Sequence, residues 1–150
     1  MSLLDELSGK IGQELGVSDW IEIGQDRVNA FADVTEDHQF IHVNAEMAKQ
    51  FTPFGGTIAH GFLTLSLLSR MAETGLPKLD GVKMGMNYGL NKVRFLSPVP
   101  TGSRIRGRFV LASAEEKNPG QLLLSHTITV EIDGGGKPAL VADWLSLLFT

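Results

Sequence analysis

One aspartate and three histidines that could transfer protons lie close together in this sequence: Asp37, His38, His42 and His60. A carboxylate and an imidazole that meet in space can hold one water molecule, with one group removing a proton and the other supplying one. His60 is followed by Gly61, which lets a ligand approach the backbone closely. Free N–H groups at a helix start there would stabilise a developing oxyanion. This set of groups suits chemistry beside a carbonyl.

Each of these residues also has a purely structural interpretation. Asp37 is of a type that caps helices and forms turns, and His38 is most simply a solvated loop residue. His42 and His60 could make local hydrogen bonds and nothing more. The fourth histidine, His126, lies in phase with an apolar strand face and is interpreted as a core histidine with satisfied hydrogen bonds.

A metal site is a further alternative for the same segment. His38 and His42 are four residues apart, with Asp37 adjacent, and would share one face if the segment were helical. No second cluster of ligand-type residues lies nearby in the sequence. The acid–base interpretation is therefore preferred, and no metal is expected.

Helical signals dominate the first half of the chain. The pattern predicts a helix that begins at Gln25, a short helix capped by Asn44, and a turn over residues 52–57. The strongest predicted helix runs from Ile58 to Thr74 and closes at Gly75. It is apolar on nearly all sides, so other elements must wrap around it.

Strand signals dominate from Val82 onward. Apolar and polar residues alternate over 104–111 and again over 122–132, and stretches rich in glycine and proline separate these runs. The last run, Ala139 to Phe149, is apolar on both faces and is predicted to be a central strand. The simplest architecture is α+β, with an antiparallel sheet wrapped around one long central helix.

Composition narrows the class of protein. The 150 residues suffice for one domain, and 43% hydrophobic with 20% charged residues excludes a mainly disordered chain. A net charge of −4 argues against general nucleic-acid binding. The absence of cysteine excludes disulfides, thiolate catalysis and iron–sulfur clusters. The start of the chain lacks the positive charge and apolar core of a signal peptide, and no stretch approaches the ~20 residues of a membrane helix, so we expect a soluble, cytoplasmic protein without a membrane partner.

Two segments together resemble a known family. Residues 31–44, Phe-Ala-Asp-Val-Thr-Glu-Asp-His-Gln-Phe-Ile-His-Val-Asn, and residues 54–62, Phe-Gly-Gly-Thr-Ile-Ala-His-Gly-Phe, resemble the hydratase motif of MaoC-like dehydratases, which include the (R)-specific enoyl-CoA hydratases. Residues 87–103 resemble the branch named after nodulation protein N. The resemblance covers nearly the whole chain. It implies one hotdog domain over 1–150, and a homodimer whose two sheets join, with acyl-CoA along the interface.

The resemblance also implies roles for individual residues. The family's catalytic aspartate and histidine fall on Asp37 and His42, and its backbone oxyanion donor falls on Gly61. Four further residues are expected to contribute to substrate binding: Gln39, His60, Ser69 and Arg94. In some members a serine at the position of Ser69 supports the catalytic aspartate. The sequence departs from the family pattern where Glu36 replaces a glycine and where Gln39-Phe40 replaces Asn-Pro.

These roles imply reversible syn addition of water to a trans-2-enoyl-CoA, giving an (R)-3-hydroxyacyl-CoA without a metal or redox cofactor. The phosphates of CoA would need local positive charge, for which the candidates are Lys92, Arg94, Arg104 and Arg106, although alternation also fits a solvated arginine face. Two rivals stay open. One is a hotdog acyl-CoA thioesterase, and the other is a non-catalytic acyl-CoA-binding module of the same fold.

Overall fold

The computed structural model describes residues 1–150, which form six helices and six strands. The helices are α1 (Leu3–Ser8), α2 (Gln25–Thr35), α3 (Phe40–Val43), α4 (Ala45–Phe51), α5 (Gly61–Ser66) and α6 (Leu68–Gly75). The strands are β1 (Glu14–Val17), β2 (Ile21–Glu22), β3 (Met84–Phe95), β4 (Arg104–Asn118), β5 (Gln121–Ile132) and β6 (Leu140–Phe149). No helix is both long enough and apolar enough to cross a bilayer.

All six strands belong to one antiparallel sheet. The strand order is β1-β4-β5-β6-β3, and the short β2 also pairs with β4. β6 lies between β5 and β3, which confirms the prediction of a central strand at the end of the chain. β3 is paired on one side only, so its outer edge is free. The predicted strands of the second half are confirmed, whereas β1 and β2 were not predicted.

Helices α5 and α6 lie against the inner face of this sheet. Leu63, Leu68 and Met71 of these helices are buried in the main core with Phe109 of β4 and Ile128 of β5. Burial of each such side chain contributes about 1.5–3 kcal/mol. This is the predicted arrangement of a sheet around a central helical element, and it fixes where the first residue of α5 lies.

The predicted span of the central helix is wrong at its start and in its middle. Residues 58–60 are extended because Ile58 forms a β-bridge with Pro100 and the Ala59 N–H donates to the Val99 carbonyl at 2.8 Å. The helix therefore begins at Gly61. It is also interrupted at Leu67, whose N–H is shared between the carbonyls of Leu63 and Thr64, each at 3.2 Å.

The helices before the site agree with the predictions more closely. α2 begins at Gln25 as expected. The side chain of Asn44 accepts a hydrogen bond from the Met47 N–H at 3.0 Å, which confirms Asn44 as the cap of α4. α4 continues to Phe51, and the turn predicted for residues 52–57 then leads the chain back toward α5.

Candidate active site

Asp37 is held just beyond the end of α2. The preceding residue, Glu36, ends the helix in the left-handed conformation with φ of 60°. The Asp37 N–H then donates to the Ala32 carbonyl at 3.1 Å. The carboxylate accepts a hydrogen bond from the Gln39 N–H at 3.3 Å, and 51% of the side chain is exposed. The carboxylate therefore faces a region that solvent or a substrate can reach.

His42 is buried in α3, and its orientation is fixed by one hydrogen bond. Its Nδ1 lies 2.7 Å from the carbonyl oxygen of Ile58. Because a carbonyl can only accept, Nδ1 carries the hydrogen, and the neutral ring has its lone pair on Nε2. Burial lowers the pKa of His42, outweighing the opposing effects of the Ile58 hydrogen bond and of Asp37. At neutral pH this imidazole can therefore accept a proton.

His60 contacts both Asp37 and His42. It is buried immediately before α5, and its Nε2 donates to the backbone carbonyl of Asp37 at 3.0 Å. Its ring stacks on that of His42 with 3.8 Å between centroids and 23° between planes. The Asp37 carboxylate lies 4.0 Å from the same Nε2. The predicted meeting of Asp37, His42 and His60 is thus present, with side-chain atoms of all three within 4.8 Å of one another.

Gly61 lines a cavity of about 410 Å³ together with His42. As the first residue of α5, Gly61 has an N–H without a partner inside the helix. A Cβ at this position would lie 2.9 Å from Cδ1 of Phe95, so a larger residue would displace the Phe95 ring or the start of α5. This cavity, which we call the site cavity, is therefore lined both by the residue that begins α5 and by a buried neutral imidazole.

Comparison with known proteins identifies the family to which this arrangement belongs. The family model described as "MaoC like domain" matches residues 6–131. The chain belongs to the MaoC-like family.

Several relatives cover nearly the whole MaoC-like chain. Nodulation protein N of Rhizobium leguminosarum bv. viciae is 53% identical over 145 residues, covering 97% of this chain and 90% of that protein. The 3-hydroxyacyl-thioester dehydratase Z of Mycobacterium tuberculosis is 49% identical over 138 residues, covering 92% and 90%. The solved (R)-hydratase from A. caviae involved in PHA biosynthesis has a TM-score of 0.73 and 25% identity, covering 91% of this chain and 94% of that one. These similarities confirm the family resemblance and the hotdog α+β fold.

The other predicted substrate-binding residues are not all gathered around this MaoC-like site. The backbone N–H of Gln39 contacts Asp37, whereas its side chain is exposed. Ser69 makes no hydrogen bond to Asp37, and it lines two clefts farther along α6. Arg94 is exposed on β3 and donates to the carbonyl of Val93 at 2.8 Å. Their roles toward a substrate stay predictions.

Two of the arginines considered for CoA binding are already paired with carboxylates. Arg104 forms an ion pair with Asp133, and Arg106 forms one with Glu131 at 2.9 Å. Both guanidinium groups also lie over the ring of Trp20, at 5.5 Å and 4.3 Å from its centroid. This arrangement is the solvated arginine face that was the alternative interpretation. Lys92 and Arg94 are left as the candidates for binding phosphate.

The structure changes which residues could form the metal site that was considered as an alternative. His38 does not join the cluster, because its Nε2 lies 2.8 Å from the carboxylate of Asp33 on the exposed side of α2. Instead, His60 supplies the second imidazole beside Asp37 and His42, although it was not one of the ligands considered for the predicted metal site. One nitrogen of each ring is already paired with a backbone carbonyl, Nδ1 of His42 with Ile58 and Nε2 of His60 with Asp37, which leaves one nitrogen per ring as a possible ligand. Asp37, His42 and His60 could therefore also hold a metal ion, and the expectation that they hold none stays a prediction.

Two side chains at the site were not predicted from the sequence, and one prediction elsewhere in the chain is wrong. Thr64 is buried in the site cavity, and its hydroxyl has no hydrogen-bond partner. Phe95 packs against Gly61 from a strand more than thirty residues later in the chain, and no local pattern links the two. His126 is buried as predicted, but its Nδ1 has no partner, so the expectation of satisfied hydrogen bonds is wrong.

Proposed function

We propose that this MaoC-like protein catalyses the reversible addition of water to a trans-2-enoyl-CoA, giving an (R)-3-hydroxyacyl-CoA. The observation that carries the proposal is the state of His42. This buried imidazole donates from Nδ1 to Ile58, keeps its lone pair on Nε2, lies beside Asp37 and lines the same cavity as Gly61. The names of the dehydratase and (R)-hydratase relatives support the same reaction type.

In the proposed reaction, Asp37 and His42 hold one water molecule against the substrate double bond. Nε2 of His42 takes a proton from this water while the water oxygen bonds to C3 of the substrate. The π electrons move toward the thioester carbonyl, and a proton from the Asp37–His42 pair is then returned to C2. The product gains the hydroxyl of water on C3 and one additional hydrogen on C2, so atoms and charge balance. Both additions come from the side of the pair, which gives syn stereochemistry.

The role proposed for Gly61 is to stabilise the charge that develops on the thioester oxygen. Its N–H is free at the start of α5, and the partial positive charge of a helix start favours an anion there. The carbonyl oxygen of the substrate would lie in the site cavity, and no metal or redox cofactor is needed for this chemistry. We propose that residues 1–150 form one MaoC-like domain.

We further propose a homodimer formed along β3. This strand has a free edge of twelve residues, and several of its large apolar side chains are 41–54% exposed. Those side chains are Met84, Met86, Tyr88, Leu90 and Phe95. A long apolar edge is unfavourable in a monomer, and pairing of two β3 strands would cover it. Lys92 and Arg94 on the same strand would then lie beside the interface, where the CoA phosphates are proposed to bind.

The test is a spectrophotometric hydration assay with crotonyl-CoA and longer trans-2-enoyl-CoA esters, together with the stereochemistry of the product. The Asp37→Asn and His42→Ala variants are expected to lower kcat by ~10²–10⁴-fold, the usual contribution of a general acid or base. His38→Gln is the control, because His38 is exposed and contacts Asp33 instead. Near-normal turnover in both Asp37→Asn and His42→Ala would remove the pair from the mechanism.

The same assay separates the two rivals. Loss of the enoyl absorbance without free thiol indicates hydration, whereas release of free CoA thiol indicates a thioesterase. Tight acyl-CoA binding with no turnover at any chain length indicates a non-catalytic binding module. Size measurement by light scattering, with Tyr88→Lys placing a charge on the β3 edge, tests the dimer separately from the chemistry.

A further inference from the structure

His126 is a buried titratable residue that the proposed reaction does not use. It lies on β5 between Leu111 of β4 and Trp144 of β6, and only 4% of the residue is exposed. Its Nδ1 is buried without a hydrogen-bond partner, and its ring meets that of Phe109 edge-on at 6.2 Å. Burying an unpartnered polar atom is unfavourable, and leucine or phenylalanine would fill this space without that penalty. A buried residue that lowers the stability of the fold in this way is typical of a binding position.

The ring of His126 lines a cleft of about 380 Å³, which we call the inner cleft. Most of its wall is apolar and includes Leu7 of α1 and Leu76 after α6. Besides the indole of Trp144, its polar side chains are those of His126, Ser69, Asn87 and Ser146. No Asp, Glu, Lys or Arg lines it. The inner cleft is therefore suited to an apolar ligand that carries an uncharged polar group.

A line of shared residues connects the inner cleft with the site cavity. Between them lies a middle cleft of about 490 Å³, which shares Ser69, Asn87 and Trp144 with the inner cleft. The middle cleft shares Phe62 with the site cavity. It is also lined by Phe31, whose ring lies 4.9 Å from that of His60. The three cavities thus follow one another along α5 and α6, in the order site cavity, middle cleft and inner cleft.

The boundary between the two clefts is held in place by a hydrogen bond. Nε1 of Trp144 donates to Oδ1 of Asn87 at 3.0 Å. This bond fixes the indole between the middle and inner clefts and leaves the amide hydrogens of Asn87 available to a ligand.

We propose that the inner cleft binds the distal part of the acyl chain and that His126 recognises a hydroxyl group carried there. The preferred substrates would be enoyl thioesters whose chain bears a hydroxyl at or near its far end. This inference rests on the proposed function, because that function places the thioester at Gly61.

The charge state of the imidazole agrees with this choice of ligand. Burial lowers the pKa of His126 to about 4, so the ring is neutral at pH 7. A neutral imidazole has one donor and one acceptor, and a hydroxyl group matches both. A carboxylate would lack a counter-charge in this cleft, and a purely apolar chain would leave Nδ1 unpartnered.

The experiment compares straight-chain trans-2-enoyl-CoA esters of increasing length, each paired with its ω-hydroxy counterpart. At the length that reaches His126, we expect the hydroxylated ester to have a KM lower by a factor of about 3 to 10, the effect of one neutral hydrogen bond. Crotonyl-CoA, which has no distal chain for the inner cleft to bind, is the short-chain reference. The inference is overturned if no length shows a preference for the hydroxylated ester.

Three variants test whether His126 is the cause. His126→Leu should abolish the preference for the hydroxylated ester, and His126→Gln should retain part of it through the side-chain amide. Ile128→Val is the matched control, because Ile128 is buried on the same strand face but does not line the inner cleft. A preference that survives intact in His126→Leu would overturn the assignment.

Two measurements distinguish failure of this inference from failure of the proposed function. If the wild type hydrates no enoyl-CoA, the proposed function fails, but binding of a saturated ω-hydroxyacyl-CoA can still be measured by calorimetry. The ¹⁵N resonances of the His126 ring should then shift with the hydroxylated ligand and not with the plain acyl-CoA. Equal shifts with both ligands would show that His126 does not recognise the hydroxyl. This readout uses the wild-type chain and does not depend on the folding of a variant.

Discussion

Nε2 of His60 donates a hydrogen bond to the backbone carbonyl of Asp37 at 3.0 Å, while the ring of His60 stacks on that of His42. One buried side chain therefore contacts both members of the proposed catalytic pair. The carboxylate of Asp37 is half-exposed, and its own side chain is held only by the Gln39 N–H at 3.3 Å. We infer that His60 acts as a positioning residue for Asp37.

Replacement of His60 by phenylalanine should preserve stacking on His42 and remove the hydrogen bond to Asp37. We expect kcat to fall by about tenfold with little change in KM, because the loss of a net ~1 kcal/mol hydrogen bond frees the segment that carries the carboxylate. Steady-state kinetics with crotonyl-CoA measures both constants. His60→Gln is the matched control, since its amide can still donate to the Asp37 carbonyl, and it should recover much of kcat. Equal losses in the two variants would contradict a positioning role.

Glu36 offers a prediction about stability. It adopts φ of 60°, where a non-glycine residue costs about 1–2 kcal/mol, and the family pattern has glycine at this position. Glu36→Gly should raise the free energy of unfolding by about 0.5–1 kcal/mol, after the greater chain entropy of glycine in the unfolded state is subtracted. Urea denaturation measures the change. Glu36→Ala removes the charge but keeps Cβ, so an equal gain in that variant would show that backbone conformation is not the cause.

The sequence predicts the elements better than their junctions. Period-two alternation over 104–111 and 122–132 predicts β4 and β5 because each strand buries one face, and the apolar run at the end predicts the central position of β6. The predicted helix over 58–74 begins too early, because the bridge of Ile58 with Pro100 is a long-range contact that no local pattern reveals. β1 and β2 were missed since they have only four and two residues.

In the candidate site, too, some properties follow from the sequence and others depend on contacts between distant segments. Residue types and the family motif identify Asp37, His42 and Gly61, and the structure brings them together with His60. The tautomer of His42 could not be predicted, because it depends on the carbonyl of Ile58 sixteen residues later. The sequence predicts that the arginines of β4 could bind phosphate. In the structure they pair with carboxylates that lie on β5 or just after it, which the sequence does not reveal. Contacts between distant segments determine these properties.

The packing of Phe95 on Gly61 predicts the effect of adding one methyl group. In Gly61→Ala the new Cβ would lie 2.9 Å from the Phe95 ring, so either the ring or the start of α5 must move. We expect kcat/KM for crotonyl-CoA to fall between about tenfold and a hundredfold, as for displacement of an oxyanion donor. Phe95→Leu should be mild alone and should reduce the penalty of Gly61→Ala in the double variant. Strictly multiplicative effects would show that Phe95 is not the obstacle.

The buried neutral state of His126 predicts how stability depends on pH. Burial lowers its pKa from 6.5 to about 4 in the folded protein, so the unfolded chain takes up a proton at higher pH than the native state does. The stabilisation is therefore complete above pH 6.5 and is lost as the pH falls toward 4, by up to about 3 kcal/mol. Urea denaturation of the wild type and His126→Leu across this range measures it. The variant should lose less stability on acidification, although the pKa of His42, also lowered by burial, acts in the same direction in both proteins. Parallel curves for the two proteins would show that His126 is protonated equally in the folded and unfolded states.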